Sequence, residues 1–175
     1  MYRKCATEIS TEHQQQIIRI LLELMKTVPF EDITVTQLCR TAEVSRRVFY
    51  HLFSSKLGAL HALVDHKILD VSIFSGDTAQ FFRYWKDQKD LLDVLSANGI
   101  ASLLLERMIT SVLAEDYDII NHLERNGWPG SSSEVVIFGL SGLVGLVYSW
   151  YYSGYRRSPE EMAALAEQLM QPYMS

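Results

Sequence analysis

Cysteine is scarce in this 175-residue chain, which contains only Cys5 and Cys39. Two cysteines without a Cys-x-x-Cys pair cannot build a disulfide framework or a metal knuckle. This scarcity favours a reducing compartment, and we expect a cytoplasmic protein. The first four residues, Met1–Lys4, are followed by polar sequence rather than by an apolar run, so a secretory signal is not expected.

Short motifs that carry catalytic chemistry are also absent from the sequence. There is no nucleophile elbow and no phosphate-cradling loop, because Gly139, Gly142 and Gly145 lie in a run with helical periodicity. His61 and Asp65 are four residues apart on one helical face, but two ligands are too few for a structural metal site. A surface pair is the simpler interpretation of these two residues. We therefore predict no enzyme activity, no metal site and no cofactor.

Positive charge is in the minority, since the formal net charge is −5 at pH 7. The distribution is uneven, because residues 1–56 carry a balance of +2 and residues 57–175 a balance of −7. Attraction to DNA depends on the local field of a patch rather than on the charge of the whole chain. A mildly basic N-terminal part therefore remains compatible with DNA binding.

Strand-like alternation of useful length is missing, and apolar residues recur with helical spacing almost throughout. The series from Ile17 to Val28 predicts a first helix that ends before Pro29, because proline disfavours the helical conformation in the residue before it. With 48% hydrophobic residues the chain can bury a packed core. We predict an all-α protein with an N-terminal domain at 1–70 and a C-terminal domain at 71–175.

Two short helices are predicted close together in the N-terminal domain. Thr34 followed by Gln37 has the pattern of a capping box, so the first of these helices starts near Thr34. Ser45 is the candidate cap of the second, because Val44 and Phe49 around it have the spacing of a hydrophobic staple. Two short helices separated by a few residues predict a helix-turn-helix.

A helix capped by Ser45 carries Arg46 and Arg47 in its first turn, where the helix dipole and the short reach favour contact with DNA. Arginine bonds bidentately to guanine or clamps a phosphate. A lysine that opens the next helix predicts a further phosphate site. Taken singly, each cation is also explained as a solvated surface charge. The predicted DNA-facing residues are Thr34, Thr36, Gln37, Ser45, Arg46, Arg47, Tyr50, His51 and Lys56.

The segment from Ile33 to Lys56 resembles the DNA-binding domain of the TetR family of transcriptional regulators. The resemblance rests on the threonine-led second helix, the Val-Ser before the recognition helix, and the pattern Phe-Tyr-x-x-Phe-x-x-Lys at 49–56. It covers about residues 10–66. Glu43 departs from the family pattern, which usually has glycine in this turn, so we expect a less favourable backbone geometry there. The resemblance implies contact with DNA by Ser45, Arg46, Arg47, Tyr50, His51 and Lys56.

An uncharged run of 21 residues from Val135 to Tyr155 is the most ambiguous feature of the C-terminal domain. It is long enough to span a bilayer, and Ser141, Gly145 and Ser149 have the spacing that lets helices approach closely. The well-capped amphipathic helix that follows favours a soluble helix, buried by its own chain and by a partner subunit. We expect no membrane contact.

The C-terminal domain resembles, more loosely, the regulatory domain of one branch of the same family. The likeness lies in Phe81–Trp85, in Asn98-Gly99 and in parts of 142–162. It implies that helices at about 134–155 and 159–172 pair with their two-fold mates as a four-helix bundle, which makes a homodimer. The predicted dimer contacts are Ser141, Gly142, Gly145, Ser149, Met162, Leu165 and Leu169.

Regulators of this family commonly hold an inducer between the helices of this domain, and the resemblance implies a small-molecule inducer of unidentified kind. The residues expected to line its pocket are also explained as core or dimer contacts. They are Phe81, Tyr84, Trp85, Leu104, Met108, Tyr148 and Tyr152.

Together these resemblances imply an all-α regulator with a three-to-four-helix DNA-binding domain, followed by a helical regulatory and dimerisation bundle. Such a protein binds a palindromic double-stranded DNA operator as a dimer, more often as a repressor. Two alternatives stay open. One is a helical protein–protein interaction module that has lost DNA binding, for which Glu43 is the motivating irregularity, and the other is a membrane-anchored regulator.

Overall fold

The computed structural model describes Tyr2 and residues 8–68, 77–114 and 133–170. Across these ranges the secondary structure is helical, apart from an isolated antiparallel bridge between Tyr2 and Phe53. The predicted all-α fold class is therefore confirmed for this part of the chain. The predicted domain boundary between residues 70 and 71 and the side chain of Cys5 lie outside the described residues.

Two compact units make up the chain. The first unit combines Met1–Lys67 with Val94–Ile100, and the second combines Ile68–Asp93 with Ala101–Ser175. The short return segment of the first unit was not predicted from sequence, because its residues continue a helix that starts in the second unit.

Four α-helices and one 3-10 turn lie in the N-terminal segment of the first unit: α1 (Glu8–Met25), the 3-10 turn (Phe30–Asp32), α2 (Val35–Thr41), α3 (Arg46–Leu52) and α4 (Lys56–Ile68). α1 buries Ile17, Leu21 and Met25, which are spaced by four residues along one face. Phe49 of α3 is fully buried, and its ring centroid lies 5.4 Å from that of Phe53. These apolar faces form the core against which the short helices are held.

Side-chain caps define where the short helices begin. The Thr34 hydroxyl accepts a hydrogen bond from the Gln37 amide at 3.0 Å, and the Ser45 hydroxyl accepts one from the Val48 amide at 3.2 Å. Each cap satisfies an amide that the helix itself leaves without a partner. Both predicted caps, and the helix-turn-helix that they delimit, are therefore confirmed.

The turn between α2 and α3 has the hydrogen bonds of a Schellman motif. The Val44 amide donates to the Cys39 carbonyl at 3.0 Å, and the Glu43 amide donates to the Arg40 carbonyl at 3.3 Å. Glu43 occupies the left-handed position with φ +51°, where glycine is normally preferred. The expected unfavourable backbone geometry is therefore present at this residue.

The remaining helices are α5 (Thr78–Asp87), α6 (Lys89–Ala97), α7 (Ser102–Leu113), α8 (Ser133–Tyr152) and α9 (Pro159–Met170). α6 crosses from the second unit into the first and ends in a Schellman turn at Gly99, with φ +68°. α9 starts with a reciprocal capping box, in which Ser158 and Glu161 each bond the other's amide, at 3.1 and 2.7 Å. The sequence predicted this box.

Aromatic residues form the core of the second unit, where α5 packs against α8 and α9. The rings of Phe82 and Trp150 meet edge to face, with centroids 5.7 Å apart. The Trp150 indole N–H donates to the Arg157 carbonyl at 3.0 Å, which closes the turn after α8. At the surface, the Arg83 guanidinium and the Glu160 carboxylate pair at 2.6 Å and join α5 to the start of α9.

Among the described residues, α8 alone is long and apolar enough to cross a membrane. Leu140, Val144 and Val147 nevertheless lie on a face that is buried inside the second unit. α8 therefore has one face packed within its unit and one exposed face.

Replacing Glu43 with glycine should stabilise the first unit. The left-handed backbone is unfavourable for a residue with a Cβ, and glycine removes that strain at a small entropic cost in the unfolded chain. We expect the free energy of unfolding to rise by about 1 kcal/mol, measured by urea denaturation. The matched control is Glu12→Gly at an exposed position of α1, which should lower stability by about 1 kcal/mol. A less stable Glu43→Gly variant would contradict the assignment of strain.

Candidate nucleic-acid interface

The outer face of α3 carries a compact polar cluster. Arg46 and Arg47 are exposed in its first turn, and Tyr50 and His51 are exposed one turn later. The Arg46 guanidinium carbon lies 5.9 Å from the centroid of the Tyr50 ring, a cation–π distance. Phe49 anchors the opposite face in the core. The sequence-based prediction placed all four polar residues on one helix, and the structure brings them to its exposed side.

α2 adds a second polar row. Thr34 and Thr36 are exposed and Gln37 is half-buried, as expected for residues at the start of this helix. Arg40 is also exposed, one turn after Thr36, and was not among the residues predicted to face DNA. The sequence does contain a signal for this placement. Arg40 follows Thr36 by four residues, and residues i and i+4 share a helical face.

A groove of about 570 Å³ runs between the N-terminal end of α1 and the exposed side of α3. We call it the α1–α3 groove. Its walls contain basic, hydroxyl and apolar side chains, and the described residues that line it include no carboxylate. The lining residues are Ile9, Ser10, His13, Arg47, Val48, Tyr50, His51 and Leu52.

The Lys56 ammonium lies against the backbone of the 3-10 turn. It donates to the carbonyls of Phe30, Glu31 and Ile33 at 2.5, 3.0 and 2.6 Å, and it lies 4.5 Å from the centroid of the Phe30 ring. Burial lowers the pKa of this ammonium, and the nearby Asp32 and Glu31 carboxylates oppose that change. The placement differs from the predicted phosphate contact, because all three N–H donors already point at carbonyl oxygens.

The same turn is held from a second direction. The Phe30 amide donates to the Asn98 side-chain oxygen at 2.6 Å, and the Asn98 amide group donates to the Val94 carbonyl at 2.8 Å. Asn98 belongs to the return segment of the first unit. Lys56 and Asn98 therefore fix the carbonyl and the amide of one residue, immediately before α2 begins.

The predicted dimer residues differ in how exposed they are in the single chain. Gly142, Gly145 and Ser149 are exposed on α8, Leu169 is 52% exposed on α9, and Ser141 and Leu165 are half-buried. Met162 differs from the prediction, because it is only 3% exposed in the single chain. A side chain that the core of its own unit already covers leaves no surface for a partner.

The predicted pocket residues are likewise divided. The structure buries Phe81, Trp85, Leu104 and Met108, and Tyr84 meets Trp85 edge to face. The Tyr148 hydroxyl donates to the Ala101 carbonyl at 2.8 Å, and burial raises its pKa far above the usual range. Tyr152 is 64% exposed and stacks on Tyr148, so it lies on the surface rather than inside a pocket.

No group of three histidine, cysteine, aspartate or glutamate side chains could hold a metal ion within residues 8–68, 77–114 and 133–170. The interpretation of His61 and Asp65 as a surface pair is wrong, because Asp65 is buried with 3% exposure.

Cys39 is a free and buried thiol. Burial raises the pKa of this thiol, while the charge of Arg46 opposes the rise.

Replacing Lys56 with methionine should weaken folding rather than DNA contact. The substitution keeps an aliphatic stem but removes the donors from three carbonyls, which should lower the free energy of unfolding by about 1–3 kcal/mol in urea denaturation. Lys26→Met is the control, because its ammonium forms a surface ion pair with the exposed Glu23. Unchanged stability, combined with a weaker salt dependence of DNA binding, would restore the phosphate role instead.

Neither a protein-family model nor a curated protein matches the sequence significantly. Among solved structures, the chain is similar to a crystal structure of a TetR-family transcriptional regulator from Streptomyces coelicolor. The two share 19% sequence identity, the match covers 90% of this chain and 78% of that chain, and the TM-score is 0.52. At this identity the likeness establishes the architecture: this chain has the all-helical fold of a TetR-family transcriptional regulator, as the sequence predicted.

Proposed function

We propose that this chain is a DNA-binding transcriptional regulator of TetR type, which binds a palindromic operator as a homodimer and acts as a cytoplasmic repressor. The observation that carries the proposal is the pair of exposed arginines, Arg46 and Arg47, in the first turn of a serine-capped helix. The N-terminal end of a recognition helix is the part that reaches base edges in the major groove.

The dimensions of α3 support this role. An α-helix with its side chains is about 10–12 Å across, which suits a major groove about 12 Å wide, and the seven residues of α3 extend for about 10 Å. Exposed residues of α2, namely Thr34, Thr36 and Arg40, offer further contacts to the sugar-phosphate backbone. Contacts of this kind set the register of the helix on the duplex, while contacts to base edges select the sequence.

Exposed residues of α8 support the homodimer. Its outward stripe consists of residues spaced alternately by three and four, which is the heptad spacing of helices that pack along their length. Three large members are 39%, 59% and 64% exposed in the single chain. The stripe is Val135, Phe138, Gly142, Gly145, Ser149 and Tyr152.

Two glycines in this stripe point to close helix packing. A Cβ built on Gly142 or Gly145 meets no atom within 4 Å, so nothing in the described part of this chain requires the absence of a side chain there. Glycine inside an exposed helix costs about 1 kcal/mol relative to alanine. Close approach of a second helix explains why both positions are nevertheless glycine. A two-fold copy of α8 is the partner that we propose.

A two-fold dimer presents two copies of α3, which explains the expectation of a palindromic operator. A small-molecule inducer that binds the second unit would release DNA by favouring a conformation in which both half-sites cannot be engaged together. The Trp85 indole N–H supports such a ligand, because it is buried and has no hydrogen-bond partner among the described residues. A ligand with a hydrogen-bond acceptor would satisfy it.

A protein–protein interaction module is the second candidate, and Glu43 is the observation that favours it. The Schellman hydrogen bonds around Glu43 nevertheless close the end of α2, and Ser45 still caps α3, so the polar residues of α3 remain exposed. Membrane anchoring has less support, because one face of α8 packs inside the second unit.

Selection of bound duplexes from a random DNA library tests the reading surface. We expect a palindromic site for the full chain, with symmetry matching a dimer. Arg46→Ala should weaken binding to that site by about 1–3 kcal/mol per half-site, because a bidentate contact to a base is lost. Arg19→Ala, at an exposed position of α1, is the control with the same change of charge. The proposal fails if the purified protein binds no duplex at low salt.

Substitution of Gly145 by leucine tests the dimer. The side chain enters open space in the single chain, so the protomer should fold, but it should obstruct a facing helix. Because each obstruction occurs twice in a two-fold interface, we expect the dissociation constant of the dimer to rise about tenfold or more in sedimentation equilibrium. Ala97→Leu adds comparable bulk at an exposed position of α6 and should leave dimerisation unchanged. Equal dimerisation by both variants would place the interface elsewhere.

A further inference from the structure

The α1–α3 groove distinguishes between the two arginines of the recognition helix. Arg47 lines the groove together with His13 of α1 and His51 of α3. Arg46 does not line it, and its guanidinium lies near the face of the Tyr50 ring instead. Arg47 therefore lines the groove directly, whereas Arg46 lies against a ring at its edge. The sequence alone gives both residues the same interpretation.

The composition of the groove fits a sugar-phosphate backbone. Arg47, His13 and His51 provide N–H donors from both walls, and Ser10 and Tyr50 add hydroxyl groups. No carboxylate is present among the described residues that line the groove. Apolar side chains, such as Ile9 with 66% exposure, offer contact area for deoxyribose. This combination of charge and surface is complementary to one strand of a duplex.

The position of the groove also fits the rim of the DNA major groove. Helices that pack together lie about 8–10 Å apart, and the major groove is about 12 Å wide. If α3 lies in the major groove, an element directly beside it reaches the phosphate strand that borders the groove. The N-terminal end of α1 is such an element, because it forms the opposite wall of the α1–α3 groove.

We propose that the α1–α3 groove binds the DNA backbone, with Arg47 and His13 holding a phosphate from opposite walls, while Arg46 reads base edges. The inference rests on the proposed DNA-binding function and assigns separate roles to its two arginines. His13 becomes a DNA contact outside the helix-turn-helix. Arg47 determines affinity for any duplex, and Arg46 determines which sequence is preferred.

The test measures binding of the full chain to its selected operator and to an unrelated duplex, by fluorescence anisotropy across a series of salt concentrations. Arg47→Met should weaken both complexes by the same factor, about tenfold, and should preserve the ratio of the two affinities. Arg46→Met should reduce that ratio by about tenfold or more. Arg19→Met controls for the loss of one positive charge elsewhere on α1 and should change neither the ratio nor the salt dependence by a comparable amount.

Substitutions of His13 supply a gain as well as a loss. His13→Lys places a permanent positive charge in the groove, so binding should strengthen at low salt. The slope of log affinity against log salt should become steeper by about 0.9 for each phosphate engaged, and a dimer engages two. His13→Glu should weaken binding and make the slope shallower. Thermal denaturation of each variant establishes that the fold is retained.

Two results would overturn the inference while leaving the proposed function in place. One is an unchanged salt slope in both His13 variants of a protein that still binds its operator. The other is a loss of sequence preference in Arg47→Met that equals the loss in Arg46→Met. Failure of the unsubstituted protein to bind any duplex would instead remove the proposed function itself, so the two failures are distinguishable.

Discussion

The turn between α2 and α3 is the constraint on which the exposed face of α3 depends. Its direction is set by one left-handed residue, Glu43, and by the Schellman hydrogen bonds that Val44 and Glu43 donate to the end of α2. Ser45 then caps α3 at once. With the turn in this geometry, Phe49 enters the core and the arginines before it face outward. This direction requires a left-handed backbone at Glu43, a conformation that is unfavourable for a residue with a Cβ.

The segment before α2 is supported by side chains that are distant in sequence. Lys56 and Asn98 together engage the backbone of residues 30–33 through four hydrogen bonds within the first unit. A short 3-10 turn leaves several carbonyls without partners, and an ammonium with three donors satisfies them in one place. Lys56 therefore acts as a structural lysine in a position where its charge and its place at a helix start predicted a phosphate contact.

α8 combines two kinds of helix surface. One face carries branched apolar residues and Trp150, which pack inside the second unit. The other carries a heptad stripe that includes two glycines and a serine. A hydropathy profile averages the two faces, and for this reason the same 20 residues satisfy the length and composition of a membrane span. Only the division into faces indicates a bundle helix.

Local signals in the sequence determined the caps at Thr34, Ser45 and Ser158 and the irregular turn at Glu43, because each of these depends on residues within one helical turn. Helical periodicity along the chain determined the fold class. Prediction of the site was less complete. Sequence patterns placed the polar residues of α3 on one helix, but they did not indicate that Lys56 donates to the backbone of the 3-10 turn or that Arg47 lines a groove together with His13 of α1.

Tertiary structure alone decided those points, since they depend on neighbours that are remote in the chain. α1 supplies one wall of the groove that Arg47 lines, and the backbone carbonyls of residues 30–33 accept the hydrogen bonds of Lys56. Burial of Met162 and exposure of Tyr152 were decided in the same way, by the packing of the second unit around them. Periodicity determines which residues share a helical face. Which side chains or helices cover that face is determined only when the helices pack together.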